Sequence, residues 1–111
     1  MKLANGTLKP EKVVNIRKEL NYQKQSVVSR ALLEVASGAI DIMALDTGLG
    51  IAKHVFKQDA LLLVLEGNLK IEMSSGVHIL EKEDAFLIPE GKSHSMLAVV
   101  PTKILLITFA E

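Results

Sequence analysis

Cysteine and tryptophan are both missing from this 111-residue chain, which has one tyrosine, three phenylalanines and three prolines. Without cysteine there is no disulfide frame, no thiolate-bound zinc and no thiol nucleophile. Aromatic residues make up 4% of the chain, so a core must be built from Leu, Ile, Val and Ala. A domain this short buries only about two-thirds of the surface its unfolded chain exposes. An excess of either charge is lacking too: thirteen basic residues balance thirteen acidic ones, and the pI is near 6.8. Lys and Arg cluster no further than doublets, so nucleic acid is not an expected partner. No apolar run approaches the roughly 18 residues of a spanning helix, and Met1 to Pro10 lacks the apolar centre of a signal peptide. The expectation is a soluble, cytoplasmic protein with no membrane partner. What is present is 49% hydrophobic and 23% charged residues, the proportions of a single globular domain.

From Gly38 onward the chain reads as short strands punctuated by turns. Asn68 to Met73 alternates polar and apolar residues, which sets Leu69, Ile71 and Met73 on one face of a half-buried strand. Ser74-Ser75-Gly76 supplies turn chemistry before Val77 to Leu80 resumes, so Lys70 to Leu80 reads as a hairpin. Further strands are expected at 39–45, 85–88, 94–100 and 103–109, and another within 26–35. Ala60 to Leu65 is apolar at both parities, so both faces of that strand need cover. The N-terminal third and a second copy of the chain are the candidates for that cover, with some of each expected. Glu11 to Leu20 suits either a short helix or a strand.

Three histidines, His54, His78 and His94, shorten the inventory of catalytic groups. His54 precedes the doubly apolar strand, and His94 follows the turn Pro89-Glu90-Gly91. His78 alternates with Val77 and Ile79 and is expected at the surface. Lys53, Lys57 and Lys92 flank the other two and would draw an anion toward them. Ser93 and Ser95 bracket His94 but point to the opposite face of its strand, which disfavours a Ser-His nucleophile. Met73 and Met96 read as core gap-fillers rather than ligands of a soft ion.

The arrangement resembles the cupin superfamily. Its first motif runs Gly, five residues, His-x-His, three or four residues, Glu, six residues, Gly. Aligned on Gly67, it puts the first histidine at His54, the second at Phe56 and the glutamate at Ala60. The second motif runs Gly, five residues, Pro-x-Gly, two residues, His, three residues, Asn. Pro89-x-Gly91-x-x-His94 matches its centre, while Glu83 stands at the first glycine and Ala98 at the asparagine. The resemblance implies an all-β double-stranded β-helix, the cupin jelly-roll barrel, over 38–111. Residues 1–37 would form an N-terminal segment packed on the barrel or on a dimer partner.

Metal-binding cupins hold their ion with three histidines and one glutamate, so this sequence offers His54 and His94 alone. Two imidazoles fall short of the three protein ligands that an open metal site normally provides. No cofactor is therefore expected; the lesser reading is a divalent transition metal on His54 and His94, completed by substrate or by a partner subunit. Parity along one strand puts His54, Phe56, Leu62 and Val64 on the inward face, with Asp59 outward. The same rule turns His94, Met96 and Ala98 inward. These residues suggest a mostly apolar pocket at His54, Phe56, Leu62, Val64, His94 and Met96 that binds a small organic molecule. The alternatives are a metal-dependent oxygenase, isomerase or lyase using His54 and His94, and an interaction module whose barrel is shut by Phe56 and Met96. A homodimer is expected.

Overall fold

Alternation of apolar and polar side chains becomes nine strands in the computed structural model, which describes residues 6–110. They are β1 (Val27–Val35), β2 (Gly38–Leu45), β3 (Gly50–His54), β4 (Asp59–Glu66), β5 (Asn68–Met73), β6 (Gly76–Glu81), β7 (Ala85–Ile88), β8 (His94–Ala98) and β9 (Thr102–Phe109). All pairings are antiparallel, in a five-stranded sheet of order β1-β2-β9-β4-β7 and a four-stranded sheet of order β3-β8-β5-β6. No helix among the described residues is long and apolar enough to cross a membrane.

The inward rows of the two sheets face each other and form one core. Leu62, Val64, Ile88, Ile104 and Leu106 come from the five-stranded sheet; Leu69, Ile71, Leu80, Met96 and Ala98 come from the four-stranded one. The alternation read in 68–73 holds, since Leu69 and Ile71 have no exposed surface. Gly67 allows the reversal between β4 and β5. Its φ is +97°, and a Cβ there would stand 2.4 Å from both the Pro101 carbonyl oxygen and Thr102 Oγ1.

The doubly apolar strand β4 receives cover on its outer side from the N-terminal residues. Leu8, Ile16, Leu20 and Tyr22 pack with Leu32, Ile42, Ala44, Leu65 and Leu105 in a second, smaller core outside the five-stranded sheet. Between Glu11 and Leu20 neither a regular helix nor a strand forms, only a single 3₁₀ turn at Ile16–Lys18. Tertiary anchors shape this strap instead: Arg30 donates to the Glu19 carbonyl, Lys103 Nζ to the Arg17 carbonyl, and Thr7 and Leu8 N–H groups to the β1 carbonyls of Ala31 and Leu32. The division expected at 37/38 falls in the turn between β1 and β2. The residues lying across the outer face are therefore those before Val27, while β1 is a hydrogen-bonded strand of the sheet. The first five residues of the expected N-terminal segment lie outside the described residues.

Two readings need correction. His54 and Ala60 are not on one strand: β3 ends at His54 in the four-stranded sheet, and β4 starts at Asp59 in the other. Parity cannot be carried across that crossing. His78 is not a surface residue either. It pairs with the fully buried Ile71 and turns inward, half-buried, with its ring 4.8 Å from that of Phe86, while Val77 and Ile79 face solvent.

Candidate functional site

The antiparallel register, rather than parity within one strand, brings the candidate residues together. His94 on β8 pairs with His54 on β3 and with Met73 on β5, so the three occupy one row across the four-stranded sheet. Directly opposite residues share a face, which turns all three toward the barrel interior. Phe56 reaches the row from the segment between β3 and β4, where its carbonyl accepts the Gly91 N–H at 2.9 Å. That bond ties the Pro89-Glu90-Gly91 turn to the loop carrying Phe56. The ring centroids of His54 and His94 are 4.1 Å apart, and the Phe56 ring lies 5.0 Å from His54 and 4.7 Å from His94.

Each imidazole has its Nδ1 3.0 Å from a main-chain carbonyl two residues earlier, Ala52 for His54 and Lys92 for His94. A carbonyl only accepts, so in the neutral rings Nδ1 carries the proton and Nε2 a lone pair. His94 is 1% exposed, and its Nε2 has no hydrogen-bond partner. Burial holds the His94 pKa below the usual histidine value; the Lys92 carbonyl opposes that shift and the neighbouring His54 adds to it.

The other residues named from the sequence are placed differently. Leu62, Val64 and Met96 face inward, as members of the close-packed core. Asp59 is exposed and accepts the Glu90 N–H at 2.9 Å, which steadies the same turn. Lys53, Ser93 and Ser95 line a cavity of about 300 Å³ with Glu72, Met73 and Ser74. Glu72 stands opposite Ser95 on the outward face, whereas Met73 belongs to the histidine row, so this cavity lies where the two faces meet at the strand ends. Lys57 and Lys92 are exposed and do not line it. Sequence reasoning named Met73 as core and missed its place between cavity and histidines. The alternation of 69, 71 and 73 was the available signal.

Two turn residues complete the geometry. Glu83, at the glycine position of the second motif, has a φ of 75°, the left-handed conformation that favours glycine. The Val64 carbonyl accepts its N–H at 2.8 Å. Gly48, with φ 76°, precedes His54 by the five intervening residues of the first motif.

No protein-family model and no curated protein matches the chain. Solved structures do. A cupin superfamily protein from Desulfitobacterium hafniense superimposes with a TM-score of 0.88 at 23% identity, over 100% of both chains. The chain has the cupin fold. The chain is equally similar to a conserved protein of unknown function from Streptococcus pyogenes, with a TM-score of 0.89 and 23% identity over 100% of this chain and 96% of that one. A cupin 2 conserved barrel domain protein from Leptotrichia buccalis aligns with a TM-score of 0.80 and 26% identity, over 86% of this chain and 47% of the other.

The donor set of this chain does not fit the ion that metal-binding cupins hold with three histidines and a glutamate. Phe56 stands with its ring against both imidazoles where a histidine ligand would be, and Ala60, at the carboxylate position, is fully buried. Among the described residues no three His, Cys, Asp or Glu side chains group as a metal site. What remains is a pair of fixed imidazoles presenting lone pairs, an aromatic wall and an adjoining polar cavity. Such a set can accept hydrogen bonds from a small molecule.

Proposed function

We propose that this cupin binds a small organic molecule at the strand ends, where the cavity lined by Lys53, Met73, Ser93 and Ser95 adjoins the His54–Phe56–His94 cluster. The observation carrying this reading is the buried, unpartnered Nε2 of His94. An unsatisfied buried acceptor costs about 1–3 kcal/mol, which a ligand hydroxyl or N–H placed there would offset. The ligand therefore carries a hydrogen-bond donor. Its apolar part meets Phe56 and Met73, the usual combination of greasy walls and a few directed polar groups. Supporting the same reading, both rings are held in one tautomer by main-chain carbonyls and are oriented before any ligand arrives.

The test is a thermal-shift and NMR screen of small hydroxylated and amide-bearing molecules against untagged protein and the His94→Leu variant. Wild type is expected to gain several degrees with at least one compound, with resonances moving at His94, Phe56 and Met73, and the variant to gain none. Near-stoichiometric metal in the untagged protein, lost on His54→Ala/His94→Ala substitution, would sink the organic-ligand reading in favour of a metal-dependent enzyme. Hits that bind the variant equally well would move the site elsewhere.

A further inference from the structure

A second cavity, of about 390 Å³, lies on the outer side of the five-stranded sheet, between the N-terminal strap and the β6–β7 turn. Its volume is within the roughly 300–1,000 Å³ range of small-molecule sites. Ile16 from the strap and Leu63 and Leu65 from β4 supply apolar walls. Arg17 projects from the strap on one side, and Lys82 and Glu83 stand at the turn on the other. The sole ion pair among the described residues joins Lys70 to Glu72. Neither cation at this cavity is thus paired with a carboxylate of the described residues, not even with the adjacent Glu83.

Both cations sit on a fixed backbone. The Arg17 carbonyl accepts from Lys103 Nζ, which stops the strap from lifting at that residue while leaving the guanidinium clear of the bond. Glu83, next to Lys82, is held by the Val64 carbonyl, in the strand that forms the cavity wall. An apolar cleft with two unpaired cations and one carboxylate has a net positive rim. An apolar face of a second copy docked here would bury Arg17 and Lys82 without counter-charges, an expensive arrangement. A ligand with an apolar body and one anionic head satisfies walls and rim together.

We infer that this cleft is a binding site for an amphipathic monocarboxylate, its chain against Ile16, Leu63 and Leu65 and its carboxylate between Arg17 and Lys82. The site is separate from the histidine cluster, which occupies the inner face of the opposite sheet. The probes are decanoate, decanol and acetate, titrated by calorimetry and by NMR of methyl-labelled protein. Decanoate is expected to bind one per chain with shifts at Ile16, Leu63 and Leu65, and decanol and acetate each at least tenfold more weakly. The Arg17→Gln/Lys82→Gln variant, altered only at exposed side chains, is expected to lose about tenfold in decanoate affinity, equivalent to about 1.4 kcal/mol. His94→Leu is expected to bind decanoate as wild type does, so this site and the proposed function fail or stand independently. Absence of saturable binding, equal affinity for decanol, or an unchanged affinity in the double variant would overturn the assignment. So would a stable dimer in sedimentation whose Leu63 and Leu65 methyls are shielded and which takes up no decanoate.

Discussion

The outer faces of the two sheets differ in what they ask of the rest of the chain. On the five-stranded sheet, Ile42 and Ala44 of β2 and Leu65 and Leu105 of β4 and β9 point outward, and the strap gives them a core of their own. On the four-stranded sheet the outward row carries Lys70, Glu72 and Ser95, with Val77, Ile79 and Leu97 left partly exposed, and none of the described residues forms a core over it. One face is polar enough to stand in water. The other makes the strap residues Leu8, Ile16, Leu20 and Tyr22 a structural requirement, because strands apolar at both parities need two partners.

Substitutions should separate the faces by size of effect. Leu32→Ala, in the core beneath the strap, is expected to cost about 3 kcal/mol by urea denaturation, as for a fully buried leucine. A loss under 1 kcal/mol would mean that the strap contributes little. Tyr22→Phe removes the 2.7 Å bond that the phenol donates to Glu66, and should cost about 1 kcal/mol. Burial and that carboxylate also push the Tyr22 pKa above its ordinary value, so the phenol should stay un-ionised in an alkaline titration through pH 10, which absorbance near 295 nm would follow.

His94 gives a pH-dependent version on the inner face of the bare sheet. Its pKa is lowered on folding, so the unfolded state binds the proton more readily below the ordinary histidine value. Stability from this residue is fully present above about pH 6.5 and is lost as pH falls through the lowered folded value. Denaturation midpoints between pH 7.5 and 5 should fall more steeply in wild type than in His94→Leu. Identical slopes would show that His94 is not held neutral. The smallest effect is expected for Lys70→Ala, which breaks a 3.5 Å exposed pair on the bare face and should change stability by no more than about 0.5 kcal/mol.

Much of this was legible from local pattern. The strands expected at 85–88 and 39–45 match β7 and β2 to within a residue, since turn residues bracket apolar runs there. Likewise His54, Phe56 and His94 were named from motif spacing, and the structure brings their rings together. Their neighbours come from paired strands of the four-stranded sheet and from the segment after β3, not from one continuous strand. Between His54 and Ala60 nothing in the residue pattern marked the change of sheet. His78 was misread because alternation fixes which residues share a face but not which face is inside; only pairing with Ile71 decides that. The strap was illegible in detail because its conformation comes from side chains far along the chain, with Lys103 and Arg17 separated by 86 positions.

That separation also has a consequence for the order of assembly. Strand β9 lies between β2 and β4, so the β1–β2 hairpin cannot join the rest of its sheet before the final strand is in place. The surface that receives the strap is therefore incomplete until Thr102 to Phe109 has docked. During synthesis the strap is made before β9 and waits for it, with Leu8 and Leu20 uncovered in the interval. Long-range closure of this kind slows folding and prolongs exposure to aggregation. A chain stalled before Thr102 should remain protease-sensitive in the strap and in the β1–β2 hairpin.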